Sequence, residues 1–320
     1  MQPAARIYVA GHTGLAGSAI VRALRRAGYS SLVLRRHAEL ELTEAPAVRD
    51  FFERERPEYV FLAAAKVGGI LANESYPADF IRNNLAVQLN VIHEAWRAGA
   101  KRLVFLGSSC IYPRDCPQPI KEEYLLSGPL EATNRAYAMA KIAGVEQCWS
   151  YNRQHGARYL AVMPTNLYGP GDTYDLRNSH VLPALMLKIH EAQRRGERQV
   201  ILWGSGRPRR EFLYSDDMAE ACVLLMRLPD AAFDRLVAPA QAPLINIGAG
   251  EDLSIAELAA LVAEVTGFRG EFVYDASKPD GTPRKLLDVS RLFAIGWKPG
   301  VGLREGMALT YRDFLERFKS

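Results

Sequence analysis

Along the first half of the chain, short apolar runs alternate with longer stretches in which hydrophobic residues return every three to four positions. The runs Ile7 to Ala10, Leu32 to Arg35, Tyr59 to Ala63, Leu103 to Gly107 and Tyr159 to Met163 read as strands. They are apolar without alternation, as suits strands covered on both faces. Between them the helical period predicts helices at Leu15 to Ala27, Ala45 to Glu55, Pro77 to Ala98 and Thr133 to Gln154. Strand and helix in turn give βαβ units, right-handed crossovers and a parallel sheet. The expected fold is α/β, a doubly wound parallel sheet.

After Pro164 the regular alternation stops. A turn-rich segment, Tyr168-Gly169-Pro170-Gly171-Asp172, leads to a helix from Val181 to Arg195, and a short strand runs from Val200 to Trp203. The stretch Arg210 to Met218 reads as a strand running into a helix, with Ser215 or Asp216 as its N-cap. The remainder mixes short strands and helices. This pattern predicts a sheet domain made of residues 1–166 plus about 211–240, and a smaller mixed α/β substrate lobe made of about 167–210 plus 241–320.

The chain of 320 residues is 48% hydrophobic and 24% charged, the balance of a soluble globular protein. No stretch approaches the roughly 20 apolar residues that a membrane span needs. The N-terminus runs straight into its first strand without a signal-peptide pattern, so a cytoplasmic setting is expected. Cys110, Cys116, Cys148 and Cys222 show neither C-x-x-C pairing nor metal-ligand spacing, which speaks against a disulfide framework or a metal site. A formal charge of +4, without an aromatic-basic recognition motif, gives no nucleic-acid footprint.

Gly11-His12-Thr13-Gly14-Leu15-Ala16-Gly17 lies between the first strand and the first helix. Glycines there let the backbone approach a pyrophosphate, and the helix N-terminus favours its charge. That makes the sheet Rossmann-like. An NAD site commonly carries an acid at the end of the second strand, on the ribose hydroxyls. Here that strand ends in Arg35-Arg36-His37 with no acid before Glu39. Two guanidiniums suit a 2'-phosphate, so the expected cofactor is NADP(H).

Gly107-Ser108-Ser109-Cys110-Ile111-Tyr112-Pro113 follows the fourth strand, and Tyr137-Ala138-Met139-Ala140-Lys141 falls on a helix. Four residues apart, Tyr137 and Lys141 share a helix face. The ammonium is expected to lower the pKa of the phenol from about 10 and make it a general acid/base. Ser108 or Ser109 supplies a hydroxyl for the same substrate oxygen. The thiol of Cys110 is what an ordinary alcohol dehydrogenase site does not need.

The glycine motif, the strand-end serines and the Tyr137/Lys141 pair resemble the extended short-chain dehydrogenase/reductases, many of which act on nucleotide sugars. A finer resemblance, to the GDP-L-fucose synthase family, lies in five segments: Ala63 to Ile70, Ser108 to Pro113, Pro164 to Pro170, Asn178 to Leu185 and Asp280 to Asp288. It covers essentially the whole chain, although Thr13 and His37 stand where related bacterial enzymes often have Arg. The resemblance implies epimerisation at C3 and C5 of GDP-4-keto-6-deoxy-D-mannose, then NADPH-dependent reduction at C4. It makes Ser108, Tyr137 and Lys141 the reductive set, with Cys110 as base and His180 as acid, a cationic His180 helping Cys110 to ionise. Cofactor contacts are implied for Gly11, Thr13, Gly14, Leu15, Gly17, Arg35, Arg36, Lys141, Pro164, Asn166, Leu167 and His180. Substrate contacts are implied for Lys188, Trp203, Arg210, Asp280 and Lys285. Members commonly form homodimers through helices flanking the sheet, here Pro77 to Ala98 and Thr133 to Gln154. Two alternatives stay open: a nucleotide-sugar 4-epimerase holding NAD tightly, and a non-catalytic dinucleotide-sensing protein.

Overall fold

The computed structural model describes residues 1–175, 179–278 and 280–318. The first half forms β1 (Ile7–Ala10), α1 (Leu15–Arg26), β2 (Leu32–Val33), α2 (Ala45–Glu55), β3 (Tyr59–Leu62), α3 (Ile70–Ser75), α4 (Pro77–Arg97), β4 (Arg102–Leu106), α5 (Arg135–His155) and β5 (Tyr159–Pro164). Then come β6 (Asn166–Tyr168), α6 (Val181–Arg195), β7 (Gln199–Trp203), β8 (Arg209–Arg210), β9 (Phe212–Tyr214), α7 (Ser215–Arg227) and α8 (Asp230–Leu236). The chain continues through β10 (Leu244–Ile247), β11 (Leu253–Ser254), α9 (Ile255–Thr266), β12 (Glu271–Asp275), β13 (Arg284–Lys285), α10 (Ser290–Ala294) and α11 (Leu303–Phe318).

Six strands pair in parallel in the order β10-β5-β4-β3-β1-β2. Strands β1, β3, β4 and β5 are buried along their whole length, because helices cover both faces. One core joins the sheet to α1, α7 and α8 through Ile20, Leu24, Met218, Met226 and Phe233. The opposite core joins it to α2, α4 and α5 through Phe51, Phe52, Val91, Ile92 and Val145. The order reverses between β2-β1 and β3-β4-β5, and a doubly wound sheet binds ligands in the crevice at such a switch point.

A third core, with Leu182, Met186, Leu202, Phe212, Leu258, Val262 and Phe314, gathers α6, α9, α11, β7 and β9. Among the described residues three small sheets stand apart from the main one, β12 with β7, β11-β8-β13 and β6 with β9. Strand β10 falls in the stretch 241–320 expected for the smaller lobe, yet it forms an outer strand of the main sheet beside β5. Its four residues are all buried, as a sheet strand requires and a surface lobe does not.

The boundaries follow the sequence pattern closely, and two expectations change. Strand β2 ends at Val33 and not at Arg35, because the Arg35 side chain folds back to its neighbour's carbonyl and to Glu55. Helix α7 has no side-chain cap: Ser215 Oγ is buried without a partner, and Asp216 pairs with Arg22 and Arg26. Asn178, part of one resembling segment, lies outside the described residues. Among the described residues no helix is long and apolar enough to cross a membrane, and no group of His, Cys, Asp and Glu has the arrangement of a metal site.

Candidate active site

The turn from β1 into α1 forms a cradle of bare backbone. Gly11 has φ +79°, and a Cβ there would lie 2.7 Å from Ala64 Cα. A Cβ on Gly17 would meet Gly11 O at 2.0 Å, so only glycine lets the helix sit this close to the turn. Gly14 caps α1 in extended conformation with no side chain on the amide nitrogens, and no acid occupies the first turn. Thr13 and Gly14 are exposed at the mouth. Free N–H groups at a helix N-terminus without a competing carboxylate fit the pyrophosphate of a dinucleotide.

The two arginines after β2 part company. Arg35 donates to Glu55 Oε1 at 2.6 Å and to Leu34 O at 2.8 Å, and its guanidinium lies over the Phe51 ring. Arg36 is exposed, its backbone N–H donating to Glu39 Oε2 at 2.7 Å. Arg35 thus holds the strand end to α2, whereas Arg36 stands exposed.

At the carboxyl end of β4, Ser108 accepts the Cys110 N–H at 3.3 Å and hydrogen-bonds Tyr137. Ser109 is buried, which leaves Ser108 as the hydroxyl facing the phenol. Lys141 lies beneath, 3% exposed, donating to Leu106 O at 2.8 Å, with Nζ 5.8 Å from the Tyr137 ring centre. Burial pushes the Lys141 amine down to about 7. Burial, then the neighbouring Cys110, pushes the Tyr137 phenol up, against the pull of Ser108. This corrects the expectation that Lys141 lowers the phenol. The ammonium is turned to a carbonyl, and removal from water outweighs its field.

The sulfur of Cys110 accepts two N–H bonds, from Asn134 Nδ2 at 3.3 Å and from Lys285 Nζ at 3.7 Å. Lys285 comes from a two-residue strand. Strands β8 and β13 run parallel with Arg209 opposite Arg284 and Arg210 opposite Lys285. Residues paired in this register share a face. Arg209 and Arg284 both grip Asp252 on one face, and Arg210 and Lys285 lie on the other, within range of Cys110. Arg210 donates to Thr282 O at 2.6 Å and to Arg209 O at 2.8 Å, which fixes its direction.

His180 precedes α6 in extended conformation and keeps solvent access. Protein atoms around the imidazole, and then the charge of Lys285, lower its pKa from the ordinary value. The cation beside Cys110 is thus Lys285, and the expected cationic His180 gives way to a largely neutral imidazole at pH 7. Lys188 donates to Ile201 O, Trp203 is 64% exposed under the Lys278 ammonium, and Asp280 accepts Ser205 N at 2.8 Å and Ser205 Oγ at 2.6 Å. Pro164 closes β5 in the buried core, and Leu167 packs on the same side. Asn166 donates to Glu211 O at 2.8 Å.

Two residues with a part in this arrangement carry no mark in the sequence. Asn134 is one, a polar residue before a helix that reads as an ordinary cap. Glu211 is the other, fully buried between Arg210 and Phe212. It accepts Gly250 N at 2.8 Å and Leu287 N at 3.0 Å, while burial pushes it up to about 7.

Cradle, hydroxyl, phenol and ammonium define a dinucleotide-dependent oxidoreductase of the Tyr/Lys type. Residues 7–238 match the model of the NAD dependent epimerase/dehydratase family. GDP-L-fucose synthase 1 of Arabidopsis thaliana is 54% identical over 312 residues, 98% of this chain and 94% of that one. GDP-L-fucose synthase of Escherichia coli K12 is 52% identical over 311 residues, 97% of each chain. Among solved structures, the GDP-mannoheptose C4 reductase from Campylobacter jejuni with NADP bound has a TM-score of 0.88 at 39% identity, covering 98% of this chain and 99% of that one. The chain belongs to the NAD-dependent epimerase/dehydratase family, within its GDP-L-fucose synthase branch, and its cofactor is NADP(H).

Proposed function

We infer that this chain converts GDP-4-keto-6-deoxy-D-mannose to GDP-L-fucose, by epimerisation at C3 and C5 followed by reduction at C4. The observation that carries it is the joining of two chemistries on one turn: Ser108 bonded to Tyr137, and two residues on, the Cys110 sulfur under Lys285. A nucleotide-sugar 4-epimerase needs the first set alone, and a dinucleotide sensor needs neither.

Loss of a proton from C3 or C5 of a 4-keto sugar places charge on the C4 oxygen, so the site must first stabilise that oxygen. Ser108 and Tyr137 donate to it. Cys110 removes the proton from one face, and His180 delivers one to the other. A lowered pKa makes imidazolium a rarer but stronger acid. Bound NADPH supplies the hydride for C4. Tyr137, kept protonated by burial, gives its proton to the oxygen, and Lys141 beneath it orients the ribose hydroxyls. Reduction removes the ketone and with it the acidity at C3 and C5, which ends the epimerisation.

Gly11, Thr13, Gly14, Leu15 and Gly17 would hold the cofactor, with Arg36 for the 2'-phosphate and Pro164, Asn166 and Leu167 for the nicotinamide end. Arg210 takes the GDP diphosphate bidentately, with charge from Lys188 and Lys285. Trp203 and Asp280 stand at the rim for base and hydroxyl contacts. The cofactor part comprises 1–166, about 211–240 and strand β10, and the other residues form the substrate lobe. A cytoplasmic homodimer completes the proposal, its contact on α4 and α5, where Leu89 and Met139 are exposed.

The test is incubation with the keto sugar and NADPH in deuterated water. Label at C3 and C5 of GDP-L-fucose is expected, and Cys110→Ser is expected to lower that incorporation at least 100-fold while the ketone remains reducible. Unlabelled product from the parent chain would leave a plain 4-reductase. Parental labelling in the Ser variant would remove Cys110 from the role of base.

A further inference from the structure

We propose that Asn134 is a positioning residue for the base of the reaction: its side-chain amide, at the entry of α5, directs the Cys110 sulfur and favours its charged, proton-accepting form. Asn134 has this role only if Cys110 is the base proposed above.

Asn134 occupies the N-cap of α5, a position where Asn normally turns its oxygen onto the backbone N–H groups of the first turn. Here it makes no such bond. Its Nδ2 reaches out to Cys110 Sγ at 3.3 Å, and its Oδ1 is buried with no partner. The side chain thus forgoes the cap and leaves an acceptor unpaired, two recognised costs, and the contact obtained in return is the one to the sulfur. A group held against its own stabilising alternative points to function. Asn134 also stands one turn before Tyr137, so the helix that carries the proton donor for C4 also carries the group that aims the sulfur.

An amide suits a sulfur that gains and loses a proton. Its nitrogen donates to a thiolate, and its oxygen, turned through 180°, accepts from a thiol. The charged and titratable groups facing Cys110 are Tyr137 on α5, Arg210 on β8 and Lys285 on β13, which also acts on His180 and Cys116. All of them survive replacement of Asn134, so a change in sulfur reactivity reports the amide alone.

The experiment is alkylation of the cofactor-free, full-length protein by iodoacetamide from pH 5 to 10, read by mass spectrometry of tryptic peptides. Arg114 separates the Cys110 peptide from that of Cys116. Removing a hydrogen bond to a charged group moves a titration by on the order of one pH unit. In Asn134→Ala the alkylation midpoint of Cys110 is expected about one unit higher than in the parent. It moves further in Asn134→Asp, which puts only oxygen against the sulfur and keeps the size of the side chain. Deuterium exchange at C3 and C5 falls about tenfold at pH 7 in Asn134→Ala and returns as pH rises, a recovery that a misfolded site does not give. Midpoints within 0.2 unit of the parent in both variants, or a loss of exchange equal at every pH, would overturn the proposal. Exchange that persists in Cys110→Ser sinks the base assignment instead, whatever the midpoints do.

Discussion

Lys141 is a cation that the fold prefers to hold uncharged. With its amine pushed down to about 7 by burial, against about 10.4 in the unfolded chain, the unfolded state binds the extra proton between those values. Stability in that window therefore rises with pH, and the cost of the buried charge is complete below about pH 7. Lys141→Met removes that cost. The cofactor-free variant is expected to melt above the parent at pH 7, with a difference that shrinks or reverses by pH 10 in a thermal scan. An advantage independent of pH would show that packing and not charge is at stake. Tyr137→Phe keeps the ring and loses the proton. Reduction at C4 is expected to fall by about 10²- to 10⁴-fold, the usual share of a general acid, while solvent label still enters the keto sugar, more slowly because the C4 oxygen keeps only the Ser108 donor; single-turnover NADPH oxidation and NMR read the two separately. Ser108, Ser109, Cys110, Tyr137 and Lys141 stand out in the sequence by their place after a strand and along a helix, while the choice of Ser108 and the role of Cys110 rest on the family resemblance. Their charge states are not legible, since burial and the company of Asn134 and Lys285 are settled by distant segments.

Among the elements, the β1–α1 turn is the most exacting. A methyl at Gly11 must be carried at φ +79° and thrust against the Ala64 backbone 2.7 Å away, which backbone cannot yield cheaply. Gly11→Ala is expected to weaken NADP⁺ binding at least tenfold by calorimetry and to lower the melting temperature of the free protein. Unchanged affinity would mean that the turn can open without loss of the cradle. The sequence announces this turn plainly, because glycines between a strand and a helix have few other reasons to cluster. It is silent on β8 and β13. A strand of two residues has no periodicity to read, and the basic cluster Arg207-Pro208-Arg209-Arg210 does not say which of its charges face which way. Only pairing with Arg284-Lys285 sorts its charges, Arg209 to the Asp252 side and Arg210 to the sulfur side.

For the molecule as a whole, the parallel sheet was predictable from alternation alone, and the helices fall close to their expected bounds. The late strand β10 was not, because a short apolar run among helices has no local sign of which sheet it joins. Outside the sheet, α4 and α5 pack on each other and expose Leu89 and Met139. If this pair is the dimer contact, Leu89→Glu is expected to lower the mass seen by sedimentation from two chains to one, with little change in the fold by circular dichroism. A parent that sediments as one chain would remove the contact from consideration.

The thiol of Cys110 grows from the cofactor half of the molecule, whereas the ammonium that faces it arrives from β13, a strand tied down by Asp252 at one flank and by Glu211 through Leu287 at the other. Reactivity at that sulfur is therefore conditional on two separate parts of the chain meeting. A molecule caught half-assembled, or one whose lobe has loosened, would keep its cofactor turn and its Ser108/Tyr137 pair while its sulfur lost a cation. Such a species would still reduce ketones and would have ceased to invert sugars.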